Sequence, residues 1–118
     1  MTYPNPPVAV EKATIDISES TTISLPVDTQ HYKISALELP AAFTGTAITF
    51  QACSTADGTY QALYDDAGAA ISVTVAQGQV VGITSNAASM ALAAVRFIKL
   101  VSGSAELADR EIGIILTQ

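Results

Sequence analysis

Ile48-Thr-Phe-Gln-Ala-Cys-Ser-Thr-Ala-Asp-Gly-Thr-Tyr-Gln-Ala-Leu-Tyr-Asp-Asp-Ala-Gly-Ala-Ala-Ile-Ser-Val-Thr-Val75 decides the fold class. Ile48, Phe50 and Ala52 alternate with Thr49, Gln51 and Cys53. Tyr60, Ala62 and Tyr64 alternate with Gln61 and Leu63, and Ile71, Val73 and Val75 with Ser72 and Thr74. A period of two is the pattern of a pleated strand with one face buried. Ala56-Asp57-Gly58-Thr59 and Asp65-Asp66-Ala67-Gly68 separate the three runs, each offering Asp and Gly where φ must turn positive. The stretch therefore predicts an antiparallel meander, with the three tyrosine-bearing positions Tyr32, Tyr60 and Tyr64 in the core.

Outward from it, the remaining chain continues in short apolar runs. Val8, Val10, Ile15 and Ile17 predict a first strand with a slip of phase at Lys12-Ala13. Thr22 to Leu25 reads as a short strand stopped by Pro26, and Val27 to Gln30 as a loop. His31 to Leu39 changes phase midway, which predicts a bulge or burial of both faces. Pro40 to Gly45 reads as a single helical turn with Phe43 plugging one end of the core. Gln79 to Ile83 is a further strand, and Ser85 caps a short helix over 86–93 with Met90, Ala91 and Ala94 facing inward. Val95 to Val101 is apolar on both faces, as a central strand is, with Arg96 or Lys99 snorkelling to a rim. Arg110 to Thr117 closes the chain with Ile112, Ile114 and Leu116 on one face and Ile115 on the other. The sum is an all-β antiparallel sandwich with jelly-roll connections, eight or nine strands and one helix; a closed barrel is the alternative.

At 118 residues the chain predicts one domain over 8–118, large enough to bury a core without disulfides or metals. Residues 1–7 carry three of the five prolines, Pro4, Pro6 and Pro7, which deny ladder donors. They read as an extended arm, either a tail or a strap docking on a neighbouring protein with Tyr3 as anchor.

Charged side chains make up only 14% of the sequence, against about 25% in an average domain. An exterior so poor in charge fits one that meets other protein, or a monomer with a Ser, Thr, Gln and Ala surface. A net charge of -6 with five basic residues disfavours nucleic acid, because phosphate affinity comes from Lys and Arg. The uncharged run from Ala67 to Val95 is broken by Gly78, Gly82 and Asn86, short of the roughly 18 apolar residues of a membrane span. The N-terminal sequence has neither the basic nor the apolar region of a signal peptide.

Chemistry is sparse. Cys53, the one cysteine, sits on the more polar strand face without a base beside it and reads as a filler residue. Asp57, Asp65 and Asp66 raise a calcium site, but Asp before Gly bonds its own turn. Glu38 and Glu111 are strand carboxylates without partners, too few for glycoside hydrolysis. There is one histidine, and no nucleophile elbow or glycine-rich phosphate loop. The expectation is a non-enzymatic chain with no cofactor and no metal.

The order LELPAAFTGTAITFQACSTADGTYQALYDDAGAAISVTV, an apolar strand, an Ala-rich turn and AVRFIKLVSG resembles small domains found among tailed-bacteriophage virion genes, over Ile34 to Thr117. It is more distantly similar to discoidin-like or galactose-binding sandwiches, in Thr49 to Leu63 and in VRFIKL, without their sugar-contacting loops. The resemblance implies a jelly-roll sandwich serving as a head decoration or other minor virion protein on the capsid exterior. Its partners would be the major capsid protein or other virion proteins, and it would form a homo-oligomer, by analogy a trimer. A carbohydrate- or receptor-binding accessory module of the tail or fibre is the alternative. Partner contact falls on Tyr3, Pro4, Pro6 and Pro7.

Overall fold

Nine strands in two facing antiparallel sheets and one helix make up the computed structural model, which describes residues 8–30 and 32–118. The strands are β1 (Val8–Ile15), β2 (Val27–Asp28), β3 (Lys33–Glu38), β4 (Ala47–Cys53), β5 (Gln61–Ala62), β6 (Ser72–Thr74), β7 (Val80–Gly82), β8 (Phe97–Ser102) and β9 (Arg110–Thr117). The helix α1 (Asn86–Ala93) lies between β7 and β8. One sheet has the order β1-β9-β3-β7; the other has β2-β8-β4-β5, with β6 also on β4. The sandwich expectation holds, and Met1 to Pro7, the proposed arm, lies outside the described residues together with His31.

Period two explains the core. Ile112, Ile114 and Leu116 of β9 are buried, as are Ile48 and Phe50 of β4 and Ile98 and Leu100 of β8. Each such side chain removed from water contributes about 1.5–3 kcal/mol. β9 pairs with β1 along all eight residues, from Val8 opposite Thr117 to Ile15 opposite Arg110, and with β3 on its other edge. The phase change expected in β3 is a bulge: Ile34 faces Leu116 and Ala36 faces Ile115, so Ser35 is the extra residue. That bulge lets Ile34 and Leu37 both point inward, and the Ser35 and Thr117 hydroxyls hydrogen-bond beside it. Phe43 is buried at one end of the core, as its sequence predicts, although Pro40 to Phe43 forms a β-turn and not a helical turn.

Several local expectations are corrected. β1 has no bulge, because Ala13 and Ile15 share the inward face and Val10 points out, 62% exposed. Val27 and Asp28 form β2 on the edge of β8, while Ile23 contributes only an isolated bridge to Val101. The segment 48–75 is not a simple meander, since β5 and β6 both pair with the same edge of β4 and a hairpin bridged at Tyr64 and Ala70 projects between them. There Leu63, whose N–H reaches the Phe50 carbonyl, packs against the core, leaving Tyr64 55% exposed. In α1 the buried residues are Ala88 and Leu92, four apart on one face, while Met90 is 73% exposed. Ser85 occupies the N-cap position without a side-chain capping bond.

One buried ionic clamp ties two loops together. The Glu106 carboxylate, 2% exposed, accepts from the Thr44 N–H at 3.0 Å, the Thr44 hydroxyl at 2.6 Å and Arg110 Nε at 3.0 Å. Burial pushes Glu106 up, but the Thr44 and Arg110 hydrogen bonds and the Arg110 charge outweigh it and hold the carboxyl below its ordinary 4.5. A lowered carboxyl value stabilises the fold above the unfolded value, and that stabilisation is lost as pH falls through the folded one. Glu106→Ala should therefore cost about 3–5 kcal/mol near neutrality, because it leaves the largely buried Arg110 guanidinium without its carboxylate. Urea denaturation at neutral pH and in acid checks this: the gap between wild type and variant should shrink below pH 4.5.

Candidate functional site

A shallow cleft of about 520 Å³ opens at one end of the five-stranded sheet. Its walls come from three separate segments: the end of β4 at Ala52 and Cys53, the turn through Ser54 and Thr59 to Gln61, and the approach to β8 from Ala94 to Arg96. Close packing shapes the turn. A Cβ at Gly58 would overlap Cys53 Sγ and Thr55 Oγ1, so glycine is needed there for room. The positive φ that the sequence predicts for such turns occurs at Gly68, at 85°, and Gly58 is not in that region.

Arg96 dominates the electrostatics of the cleft. Its Nε lies 2.8 Å from Asp28 Oδ1 and its Nη2 3.0 Å from Oδ2, a bidentate pair joining β2 to the start of β8. The Asp28 hydrogen bond, followed by its charge, raises the guanidinium above its ordinary value. The same Asp28 Oδ1 accepts the Gln30 N–H at 2.8 Å, steadying a residue whose φ is 55°. The guanidinium also sits 5.1 Å from the Phe97 ring centroid. Next along the sheet, Lys99 Nζ stands 4.5 Å over the Tyr60 ring, and the Tyr60 hydroxyl donates to the Ala56 carbonyl at 2.9 Å. Burial first, then Cys53, Asp57 and Asp28, raise the Tyr60 phenol, which keeps it a neutral donor at physiological pH.

This arrangement suits recognition of an uncharged polar group. The cleft offers amide and hydroxyl side chains and an Arg already neutralised by its carboxylate, while a reaction needs a nucleophile within reach of a base. The neighbour of Cys53 Sγ is Thr55 Oγ1 at 3.9 Å. The Asp65 carboxylate accepts the Ala67 and Ala69 N–H groups at 2.9 Å each, closing its own turn. Glu111 pairs with Lys12 at 3.1 Å across an exposed surface, and Glu38 lies over Gly113. Among the described residues there is no group of three metal-ligating side chains, and no helix long and apolar enough to cross a membrane.

The sequence placed its partner-binding residues at Tyr3, Pro4, Pro6 and Pro7, all outside the described residues, and did not anticipate this cleft. Arg96 and Lys99 were visible as snorkelling cations; nothing local connected them to Asp28 or Tyr60, which lie 68 and 39 positions away in the chain. Tyr60 is half-buried under Lys99, and Tyr64 is exposed beside Met90 at a second concavity of about 290 Å³, so neither is a core residue. Comparison with protein-family models, curated proteins and solved structures finds no match.

Alkaline titration followed by tyrosinate absorbance should show Tyr60 ionising above 10.0, a component that Tyr60→Phe removes. Asp57→Asn should move it downward, because removing a neighbouring negative charge favours the phenolate. An unmoved component would show that Asp57 does not act on the ring.

Proposed function

We propose that the chain is a non-enzymatic structural protein of a tailed-phage virion, a head decoration protein that binds the capsid exterior. The observation that carries this reading is its surface: charged residues are scarce while large apolar side chains stand in solvent. Ile17 and Leu107 are exposed in two loops joined by the Ile17 N–H to Asp109 Oδ1 bond, and Tyr64 and Met90 flank one concavity at 55% and 73% exposure. Apolar side chains set among uncharged polar ones suit contact with protein, here the major capsid protein or another virion protein, better than nucleic acid or membrane.

The strand order supports the finer reading of the sandwich as a jelly roll. Apart from β5 and β6, each strand crosses to the opposite sheet from its predecessor, the wrapping of a double-sheet jelly roll, an architecture used in viral capsid and lectin domains. Function is taken from the fold only by analogy, and the same analogy favours a homo-oligomer, a trimer at threefold positions. A second reading, a carbohydrate- or receptor-binding module of tail or fibre, draws on the neutral polar lining of the 520 Å³ cleft.

Mass spectrometry of purified particles tests the main reading, which absence of the protein from virions would overturn. Glycan-array binding by the isolated protein would favour the second. The arm supplies a further check. Deleting residues 1–7, which precede the first described residue, Val8, should leave the melting temperature nearly unchanged while lowering occupancy on capsids. Tyr3→Ala should lose part of the same binding, about 1–3 kcal/mol for a ring buried at the contact. Undiminished decoration by the armless protein would make residues 1–7 a passive tail.

A further inference from the structure

β1 is an edge strand, and its free side has limits set by the chain itself. The Leu25 N–H donates to the Thr14 carbonyl at 2.9 Å, so the backbone of Thr14 faces away from β9. Backbone groups alternate along a strand, so those of Val8, Val10 and Lys12 face the same way, and among the described residues no backbone bond outside the sheet ladder reaches them. The open edge ends at Thr14 because Leu25 already occupies it, and at the other end because Pro6 and Pro7 carry no N–H. Its midpoint is Val10, whose side chain is 62% exposed.

We infer that this edge is the docking site for a second copy of the chain, whose β1 pairs with it antiparallel about a twofold axis at Val10. Two limits equally spaced from one residue make the edge self-matching. Across the axis Val8 would lie opposite Lys12, Ala9 opposite Glu11 and Val10 opposite Val10. That register uses every open backbone donor and acceptor of Val8, Val10 and Lys12 on both copies, and joins two four-stranded sheets into one of eight. The other registers fail for stated reasons. A slip of one residue turns the side chains to the wrong faces. Centring on Glu11 sets the two Glu11 carboxylates opposite each other and calls on the occupied Thr14, and centring on Lys12 opposes the two lysines. In the chosen register no like charges are directly opposed, and the exposed valines meet at the axis. The contact is isologous and closes at two copies, so it does not build the trimer that the analogy favours. It depends on the strand edge alone, independently of the virion reading.

Light scattering of the full chain across a concentration series tests the inference. A dimer is expected that tightens with added salt, because the two Glu11 carboxylates become diagonal neighbours and their repulsion is screened. Val10→Pro removes an N–H that points away from β9, so it should give a monomer with an unchanged circular dichroism spectrum; Val10→Lys, which opposes two charges at the axis and needs no backbone change, should do the same. With Cys53→Ser as background, Val10→Cys should cross-link under mild oxidant, since directly opposed residues of a hydrogen-bonded pair lie about 5.5 Å apart, within reach of a disulfide. Val80→Cys, on the opposite edge of the same sheet, should not. A monomer or trimer in the wild type, a dimer surviving Val10→Lys, or cross-linking at position 80 in preference to 10 would each overturn it.

Discussion

The placement of β9 between β1 and β3 is the constraint on which the rest of the structure depends. A strand whose Ile112, Ile114 and Leu116 face the interior has to have both its edges satisfied, because unpaired backbone groups beside a dry core cost as much as the burial gains. β1 satisfies one edge over eight residues, and β3 satisfies the other with one residue to spare, Ser35. Everything opposite is then fixed by packing: β4 and β8 place Ile48, Phe50, Ile98 and Leu100 against this sheet, and Phe43 and Leu92 fill what remains of the interior. The Glu106 clamp secures the loop leading into β9 by tying Arg110, its first residue, to Thr44.

The parts of this fold legible in the sequence are those where side-chain contrast is large. Ile and Phe against Thr and Gln in β4, and Ile and Leu against Gly and Thr in β9, reveal both strand and inward face, and the phase change in β3, read as a bulge or as burial of both faces, is a bulge. Legibility fails where contrast is weak or misleading. Ala13 is a buried residue too small to outvote Val10, so β1 looks broken when it is continuous. Tyr60 and Tyr64 look like core because two large rings alternate with a single Leu63, yet Leu63 packs inward and the rings use their polar tips or face solvent. Val27 and Asp28 look like loop residues beside Pro26, but a two-residue edge strand needs no apolar pattern of its own.

The candidate site was legible only in pieces. Its lining comes from segments that meet through tertiary structure alone, and the pairings that give it character, Asp28 with Arg96 and Tyr60 with Lys99, carry no sequence spacing to betray them. Glu106 and Arg110 are different: their separation of four residues was a readable signal for an ion pair, obscured because they lie in a loop and at a strand start where helical spacing is not sought.

The position of β9 also has a bearing on how the chain reaches its native state. Its partners β1 and β3 are made long before it, and most contacts in the molecule join residues distant in sequence. Loop-closure entropy must be met before such contacts return anything, which places this topology among the slower-folding small domains. On the ribosome β1 and β3 emerge without the strand that belongs between them, their edges and inward faces open to solvent until β9 follows. Folding is thus held back until β9 has been made. A chain truncated before Arg110 would retain most of its apolar residues, lack the strand that organises them, and be a substrate for chaperones and proteases.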